Sequence, residues 1–208
     1  ANKHMSLWAI VPVKPLRRGK SRLSDILSEE ERNQLNQYLF THTIEVLKDV
    51  DAISDILVVS RDSFVLTHAR EMGVRTVTEN GTPELNNALL RASLFSKAFS
   101  TEGVLIVPAD LPLLTSGDVI DFIEQRTQPP MIVVAPDRRQ QGTNMLLIDP
   151  PDLIKFSFGE NSFHRHASLA ESRGAKVIIH ENERIALDLD IPEDYQLLSS
   201  KISDPVLG

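Results

Sequence analysis

Along this chain, apolar runs of strand length alternate with longer segments whose apolar residues recur at helical spacing. That alternation predicts a mostly parallel, mixed α/β sheet with helices on both faces. The first run, Leu7 to Val13 (LWAIVPV), reads as a strand. A helix follows from about Glu29 to Lys48, with Leu35, Leu39, Ile44 and Leu47 on its apolar side. Asp55 to Ser60 (DILVVS) carries an unbroken apolar stretch, as expected of a strand buried on both faces. A helix near Ser63 to Met72, the stop glycine Gly73 and a strand over Val74 to Thr78 come next. Glu84 to Phe99 reads as a helix that turns Leu85, Ala88, Leu89, Ala92 and Phe95 inward, ahead of a buried strand at Gly103 to Val107 (GVLIV). Thr115 or Ser116 caps a helix to about Arg126. Two strands, Met131 to Ala135 and Thr143 to Ile148, flank a polar loop. The remainder reads as a helix over Ser162 to Arg173, a strand over Lys176 to Ile179, an extended piece from Ile185 to Asp190 and a last helix from Pro192.

Composition narrows the picture. Hydrophobic residues make up 41% and charged residues 25% of 208, as in an ordinary soluble domain. A single domain over residues 6–208 is expected, with Ala1 to Met5 read as a cloning remnant because His4-Met5 is typical of a vector junction. No apolar run approaches the roughly 18 residues of a membrane span, and the short first strand, leading into a basic loop, is not a secretory signal. The absence of cysteine excludes disulfides, zinc-thiolate sites and thiol catalysis, and a cytoplasmic location is the expectation. A net charge of −7 argues against general nucleic-acid binding, and Trp8 and the scattered phenylalanines form no stacking platform. One stretch departs from that average. Lys14, Arg17, Arg18, Lys20 and Arg22 lie together with no acid among them, which is either a solvated basic turn or a seat for a small anion.

Open sheets of this type bind ligands beyond the carboxyl ends of their strands, where strand order reverses. Three features converge on that edge, and a fourth carries further candidate polar groups. The basic loop VPVKPLRRGKSRL (Val11 to Leu23) is neither a Walker loop nor a dinucleotide fingerprint, yet its cations suit a triphosphate. Asp110, in PADLP after GVLIV, is either a turn residue or a carboxylate presented to a metal-nucleotide. In LDLDIPED, Asp188 and Asp190 share one face of an extended chain while Leu187 and Leu189 pack inside, although Asp190 alternatively caps the last helix. Three crowded carboxylates repel unless a cation joins them, and Mg²⁺ takes such oxygen ligands together with phosphate oxygens and water. The fourth feature spans Asp137 to Asn144 and Phe158 to Phe163. Gly159 there permits close backbone approach, Ser162 opens a helix as an anion donor or a plain cap, and Thr143 adds a hydroxyl. His164 and His166 stand two apart on a helix, which does not make a metal pair.

VPVKPLRRGKSRL, PADLPLL, PDRRQQGTN, FGENSFHRH and LDLDIPEDY, in this order over nearly the whole chain, resemble the CofC/FbiD family. Its members are the 2-phospho-L-lactate (or phosphoenolpyruvate) guanylyltransferases of coenzyme F-420 biosynthesis. The resemblance implies a nucleotide-diphospho-sugar transferase-like fold and a homodimer. It also implies transfer of GMP from GTP to a three-carbon phospho-acid, with release of pyrophosphate. It places Thr143, Asn144, Gly159 and Ser162 at the phospho-acid, and Asp110, Asp188 and Asp190 at Mg²⁺. Pro12, Val13, Lys14, Lys20 and Asn86 fall at the nucleotide, with Lys14, Lys20, Arg22 and Asp110 as the catalytic set. One departure is Pro83-Glu84-Leu85-Asn86-Asn87, where a Gly-Leu-Asn run is common. Two other readings keep the fold: a nucleotidyltransferase acting on a sugar phosphate or molybdopterin, and a non-catalytic nucleotide-binding domain.

Overall fold

A computed structural model of the chain describes residues 6–201. The expected cloning remnant (1–5) and the end of the expected domain (202–208) lie outside the described residues. In chain order the elements are β1 (Leu7–Pro12), α1 (Glu29–Lys48), β2 (Ile53–Ser60), α2 (Ser63–Glu71), β3 (Arg75–Thr78), α3 (Leu85–Lys97) and β4 (Gly103–Ile106). There follow α4 (Ser116–Glu124), β5 (Met131–Pro136), β6 (Thr143–Asp149), α5 (Ser162–Ser172), β7 (Lys176–Ile179), α6 (Glu183–Ala186) and α7 (Pro192–Lys201).

The strands form one seven-stranded sheet in the order β3-β2-β1-β4-β6-β5-β7. β1 runs parallel to both β2 and β4, β2 to β3, and β5 to β7, while β6 is antiparallel to β4 and β5. The order reverses between β1 and β4, so their carboxyl ends flank the crevice that this architecture reserves for ligands. Because β6 runs the other way, its first residue, Thr143, lies at this same edge, beyond the pairing of Leu146 with Ile106.

Side-chain alternation builds the two layers. Leu7, Ala9 and Val11 of β1 face a core with Phe40 and Ile44 of α1, Val65 of α2 and Phe122 of α4. Trp8 and Ile10 face the opposite core, with Ala88 and Leu89 of α3 and Phe163 and Ala170 of α5. A third, smaller cluster joins Leu23, Leu35, Leu39, Leu187, Leu189 and Leu198. It packs the short 3₁₀ turn at Ser21–Leu23 and the Leu187–Leu189 segment against α1 and α7, which draws the two ends of the chain together.

Helix starts follow local chemistry. At α1, Ser28 Oγ accepts the Glu31 N–H at 3.2 Å, and the Glu31 carboxylate accepts the Ser28 N–H at 2.7 Å. Three expectations are corrected at this level. Leu85 and Phe95 of α3 do not turn inward but lie exposed, and Ala88, Leu89 and Ala92 alone of the expected five reach the core. Ile185 and Ala186 are not extended, because the Asn182 side chain accepts from Arg184 N (2.8 Å) and Ile185 N (3.1 Å) and starts the helical turn α6. Only Leu187 to Asp190 keeps the expected alternation, with both leucines buried and both aspartates partly exposed. Ser162 is not the cap of α5: Asn161 occupies that position with φ 58°, and Ser162 is the first helical residue.

Candidate active site

The basic loop leaves β1 under tight control. Val13 donates its N–H to Val59 O at 2.9 Å, and its carbonyl accepts from Ser60 Oγ at 2.7 Å. Leu16 donates to Asp62 Oδ2 at 3.0 Å, while Asn36 Nδ2 of α1 donates to Leu16 O at 2.7 Å. Gly19 lies so close to Asn36 that a Cβ there would meet Nδ2 at 2.7 Å. Lys20 follows with φ 58°, a left-handed conformation. Pro12 is half-buried, and Lys14, Arg17 and Arg18 remain exposed.

The carboxylates come together through the backbone. Leu189 donates its N–H to Asp110 O at 2.9 Å, which sets Leu187–Asp190 beside the loop that follows β4. Lys20 Nζ donates to Leu189 O from the other side. The lysine is thereby held among Asp110, Asp190 and Asp188. Burial pulls its pKa below the ordinary lysine value, and the three aspartates, in that order, pull it back up.

Asp110 and Asp188 feel the converse. Burial raises the Asp110 carboxyl above the usual range, Lys20 opposes this and Asp190 adds to it. Burial followed by the Asp110 charge pushes Asp188 up to about 6. Asp110 Oδ1 is buried and accepts no hydrogen bond from the protein, an expensive condition for a carboxylate oxygen. Asp190 differs, since its carboxylate accepts from Arg22 at 3.0 Å on the rim of the site. Its reading as the cap of α7 is also excluded. The Asp194 carboxylate fills that role, accepting from Asp190 N (3.1 Å) and Ile191 N (3.0 Å) and pairing with Arg138 at 2.8 Å. Among the described residues no group of three or more His, Cys, Asp or Glu side chains is arranged as a ready-made metal cage. A close pair, Asp110 and Asp188, is what the fold presents.

The residues expected at the acceptor lie on β6, α5 and the loop before α5. Asn144 Nδ2 donates to Ile185 O (2.9 Å) and to Asp188 Oδ1 (3.3 Å), so its amide orients Asp188 from within the protein. Thr143, on the opposite face of β6, meets α5: its N–H donates to Ser162 Oγ and its hydroxyl oxygen lies beside His166 Nδ1, both at 2.9 Å. Gly159 holds φ 121°, a region that strains any residue with a Cβ. Asn86 clasps the neighbouring backbone, its amide oxygen accepting from Phe158 N at 2.7 Å and its amide nitrogen donating to Phe158 O at 3.2 Å. The expected nucleotide residue thus fixes the loop that carries Gly159. Beside the start of α3 and the end of β3 opens a cavity of about 350 Å³, lined in part by Glu79, Asn80, Gly81, Glu84, Asn87 and Arg91.

Asn36, Ser60 and Asp62 were not singled out from the sequence, because each acts on the basic loop through a partner 20 to 47 positions away. Asp62 does carry a legible signal, a carboxylate next to a helix start. His166 was visible as a residue but not in its role.

A family model described as guanylyl transferase CofC-like matches residues 7–200. The chain belongs to this family. Among its relatives, the phosphoenolpyruvate guanylyltransferase of Rubrobacter xylanophilus is 37% identical over 94% of this chain and 95% of its own length. The 2-phospho-L-lactate guanylyltransferase of Methanocaldococcus vulcanius is 35% identical over 89% of this chain and 80% of its own. Solved structures share the fold at low identity. A protein assigned as a nucleotide-diphospho-sugar transferase, from Desulfovibrio desulfuricans G20, superposes with TM-score 0.74 at 12% identity, covering 96% of this chain and 89% of that one. The 4-diphosphocytidyl-2C-methyl-D-erythritol synthase of Anaerococcus prevotii superposes with TM-score 0.66 at 11% identity, covering 97% of both chains. The CofC-like chain therefore has the nucleotide-diphospho-sugar transferase-like architecture.

His166 also gives this site a pH signature. Burial first, and then the Arg165 charge, lower its pKa from 6.5 to about 4. The unfolded chain takes up this proton near pH 6.5 and the folded one only near 4, so stability falls as pH drops through that window and levels off below it. Asp188, raised to about 6, acts in the opposite sense, because the folded state gains that proton first. Comparing wild type with His166→Asn cancels the Asp188 effect. Urea titrations at pH 6.5 and pH 4 are expected to show wild type losing about 3 kcal/mol more than the variant. Equal losses would contradict a histidine kept neutral by burial.

Proposed function

We propose that this CofC-like chain is a single nucleotidyltransferase domain that transfers GMP from GTP to 2-phospho-L-lactate or phosphoenolpyruvate, releasing pyrophosphate, in coenzyme F-420 biosynthesis. The observation that carries this reading is the bond between Leu189 N and Asp110 O, which unites the two carboxylate segments beside Lys20. The relatives' names supply the substrates, and the site's chemistry agrees with them.

The reaction needs little covalent chemistry from the protein. A phosphate oxygen of the acceptor, anionic near neutral pH, attacks the α-phosphorus of GTP, and the bond to the β-phosphate breaks as pyrophosphate departs. What the chain must do is align the two anions and offset the charge that gathers on the leaving group. Lys14 and Lys20 stand at the carboxyl end of β1 for that purpose, with Arg22 at the rim, partly neutralised by Asp190. Thr143, Gly159 and Ser162 receive the phospho-acid next to Asp188, and Asn144 keeps Asp188 aimed at the same space.

Asp110 and Asp188 fit a magnesium site. Two mutually repelling carboxylates, one with a buried oxygen that accepts nothing, suit a hard cation that takes one or two carboxylates and completes its shell with phosphate oxygens and water. When bound there, Mg²⁺ would neutralise and polarise the α-phosphate. The cavity beside α3 suits guanine, whose N1 and N2 hydrogens need acceptors, and Glu79 and Glu84 contribute carboxylates to its wall. The molybdopterin or sugar-phosphate alternative draws support from the fold alone.

The test follows pyrophosphate release with GTP, Mg²⁺ and a panel of three-carbon phospho-acids, with ATP and CTP as nucleotide controls. Turnover is expected with GTP and phospholactate or phosphoenolpyruvate. Asp110→Asn and Asp188→Asn should each lose at least a hundredfold in kcat (on the order of one removed electrostatic contact) while keeping the wild-type circular dichroism. No release with any acceptor sinks the activity, and an unfolded Asp110→Asn assigns that residue to structure.

We also propose a cytoplasmic homodimer, the assembly that the family resemblance implies, in the compartment where GTP is made. No described helix is long and apolar enough to cross a membrane. Light scattering coupled to size exclusion should return twice the chain mass; a monomer at micromolar concentration contradicts the assembly.

A further inference from the structure

The Thr143–His166–Ser157 chain runs behind the acceptor site, and its hydrogen polarity is determined by the backbone. The Ser157 N–H lies 2.9 Å from His166 Nε2. A backbone amide only donates, so Nε2 must be the ring's lone-pair nitrogen. The proton of the neutral ring then sits on Nδ1, 2.9 Å from Thr143 Oγ1, and is donated to that hydroxyl. Thr143 Oγ1 is thereby an acceptor toward the protein, and its own hydrogen is left for something else.

Ser162 repeats the logic. Its Oγ accepts the Thr143 N–H at 2.9 Å. Among the described residues, neither hydroxyl donates its hydrogen to a protein group. Thr143 at the head of β6 and Ser162 at the start of α5 thus hold two neighbouring hydroxyls, each accepting one hydrogen bond from the protein and each with its hydrogen left to donate, and such donors suit an anion. His166 is fully buried, on no surface where it meets substrate, with the Phe158 ring edge-on at a centroid distance of 4.8 Å. Its packing locks the ring plane, and the Ser157 amide locks the tautomer.

We propose that His166 is a positioning residue for the acceptor: by donating from Nδ1 it forces the Thr143 hydroxyl to present its hydrogen to the anionic group of the phospho-acid. This rests on the reading that places the acceptor at Thr143 and Ser162. The role is one of polarity. A histidine with its proton on Nε2 would accept at Nδ1, and Thr143 would then spend its hydrogen on the ring.

The experiment has two parts. In the wild-type protein at pH 7, long-range proton–nitrogen NMR of the imidazoles should show one histidine as the neutral Nδ1–H tautomer, and its signals should vanish in His166→Asn. Assignment of His166 as the Nε2–H tautomer overturns the proposal whether or not any variant folds. The second part measures acceptor KM at saturating GTP. Asparagine places an amide N–H near the Nδ1 position, whereas glutamine reaches only the Nε2 position. His166→Asn should therefore stay within about threefold of wild type, while His166→Gln and Thr143→Val each raise acceptor KM on the order of tenfold, with GTP KM unchanged. Adding His166→Gln to Thr143→Val should change nothing further. Equal damage from Asn and Gln, or a rise in GTP KM alongside acceptor KM, marks a structural histidine and overturns the inference. Unchanged acceptor KM in Thr143→Val removes the acceptor from this site altogether, whereas a rise there without one in His166→Gln leaves the acceptor in place and overturns only the role of His166.

Discussion

A half-buried lysine held among three aspartates is the constraint on which this molecule is organised. Lys20, Asp110 and Asp188 are partly withdrawn from water, where uncompensated charge is costly, and Asp190 lies beside them at the rim. One ammonium cannot balance three carboxylates. Arg22 takes Asp190 at the rim, and the remaining imbalance falls on Asp110 and Asp188, whose carboxyls are both held above their ordinary range. Excess negative charge of this kind favours a cation, and a cation held there would in turn attract a phosphate. The same charges that make the site unfavourable when empty align it for a metal-bound triphosphate.

The fold maintains this arrangement against repulsion by two means. The leucine cluster of Leu23, Leu187, Leu189 and their neighbours ties the turn after the basic loop to the aspartate segment through apolar contact alone. The backbone bond from Leu189 to Asp110 then sets the two carboxylate segments in register. Behind them stands a layer of residues bonded to protein groups: Asn36, Ser60 and Asp62 on the basic loop, Asn144 on Asp188, Asn86 on the Phe158 backbone, and His166 on Thr143. Each fixes a group that would otherwise be free to rotate, and such fixing is how a site limits reorganisation during reaction.

Much of the fold could be read from the chain, because the strands from Leu7 and Gly103, and the second strand from Ile56 to Val59, are continuous apolar runs and the helices between them carry apolar stripes. Strand direction was not legible. Periodicity is the same for parallel and antiparallel neighbours, so nothing announced that β6 runs backwards and brings Thr143 to the site edge. The stretch from Ile185 was misread for a local reason, since a four-residue helix capped by Asn182 is too short to show a period. At the site, the aspartates and the basic loop stood out through charge in an unlikely place. The supporting residues did not, because an asparagine, serine or histidine has no signature until its partner, often dozens of positions away, is known. Asn86 and Asn144 are instructive. Both are expected at the ligands, and both also bind protein groups, Asn86 the Phe158 backbone and Asn144 the Ile185 carbonyl and Asp188.

The account stands or falls on what occupies the space between Asp110 and Asp188 when nucleotide is bound. Anomalous diffraction from crystals grown with Mn²⁺ and a GTP analogue that cannot be cleaved between its α- and β-phosphates measures this directly. The account predicts one strong manganese peak within coordination distance of both carboxylates, with α-phosphate oxygen completing the contact and Lys20 on the nucleotide's phosphates. A peak ligated elsewhere, or the Lys20 ammonium alone bridging the two aspartates with nucleotide in place, would contradict it.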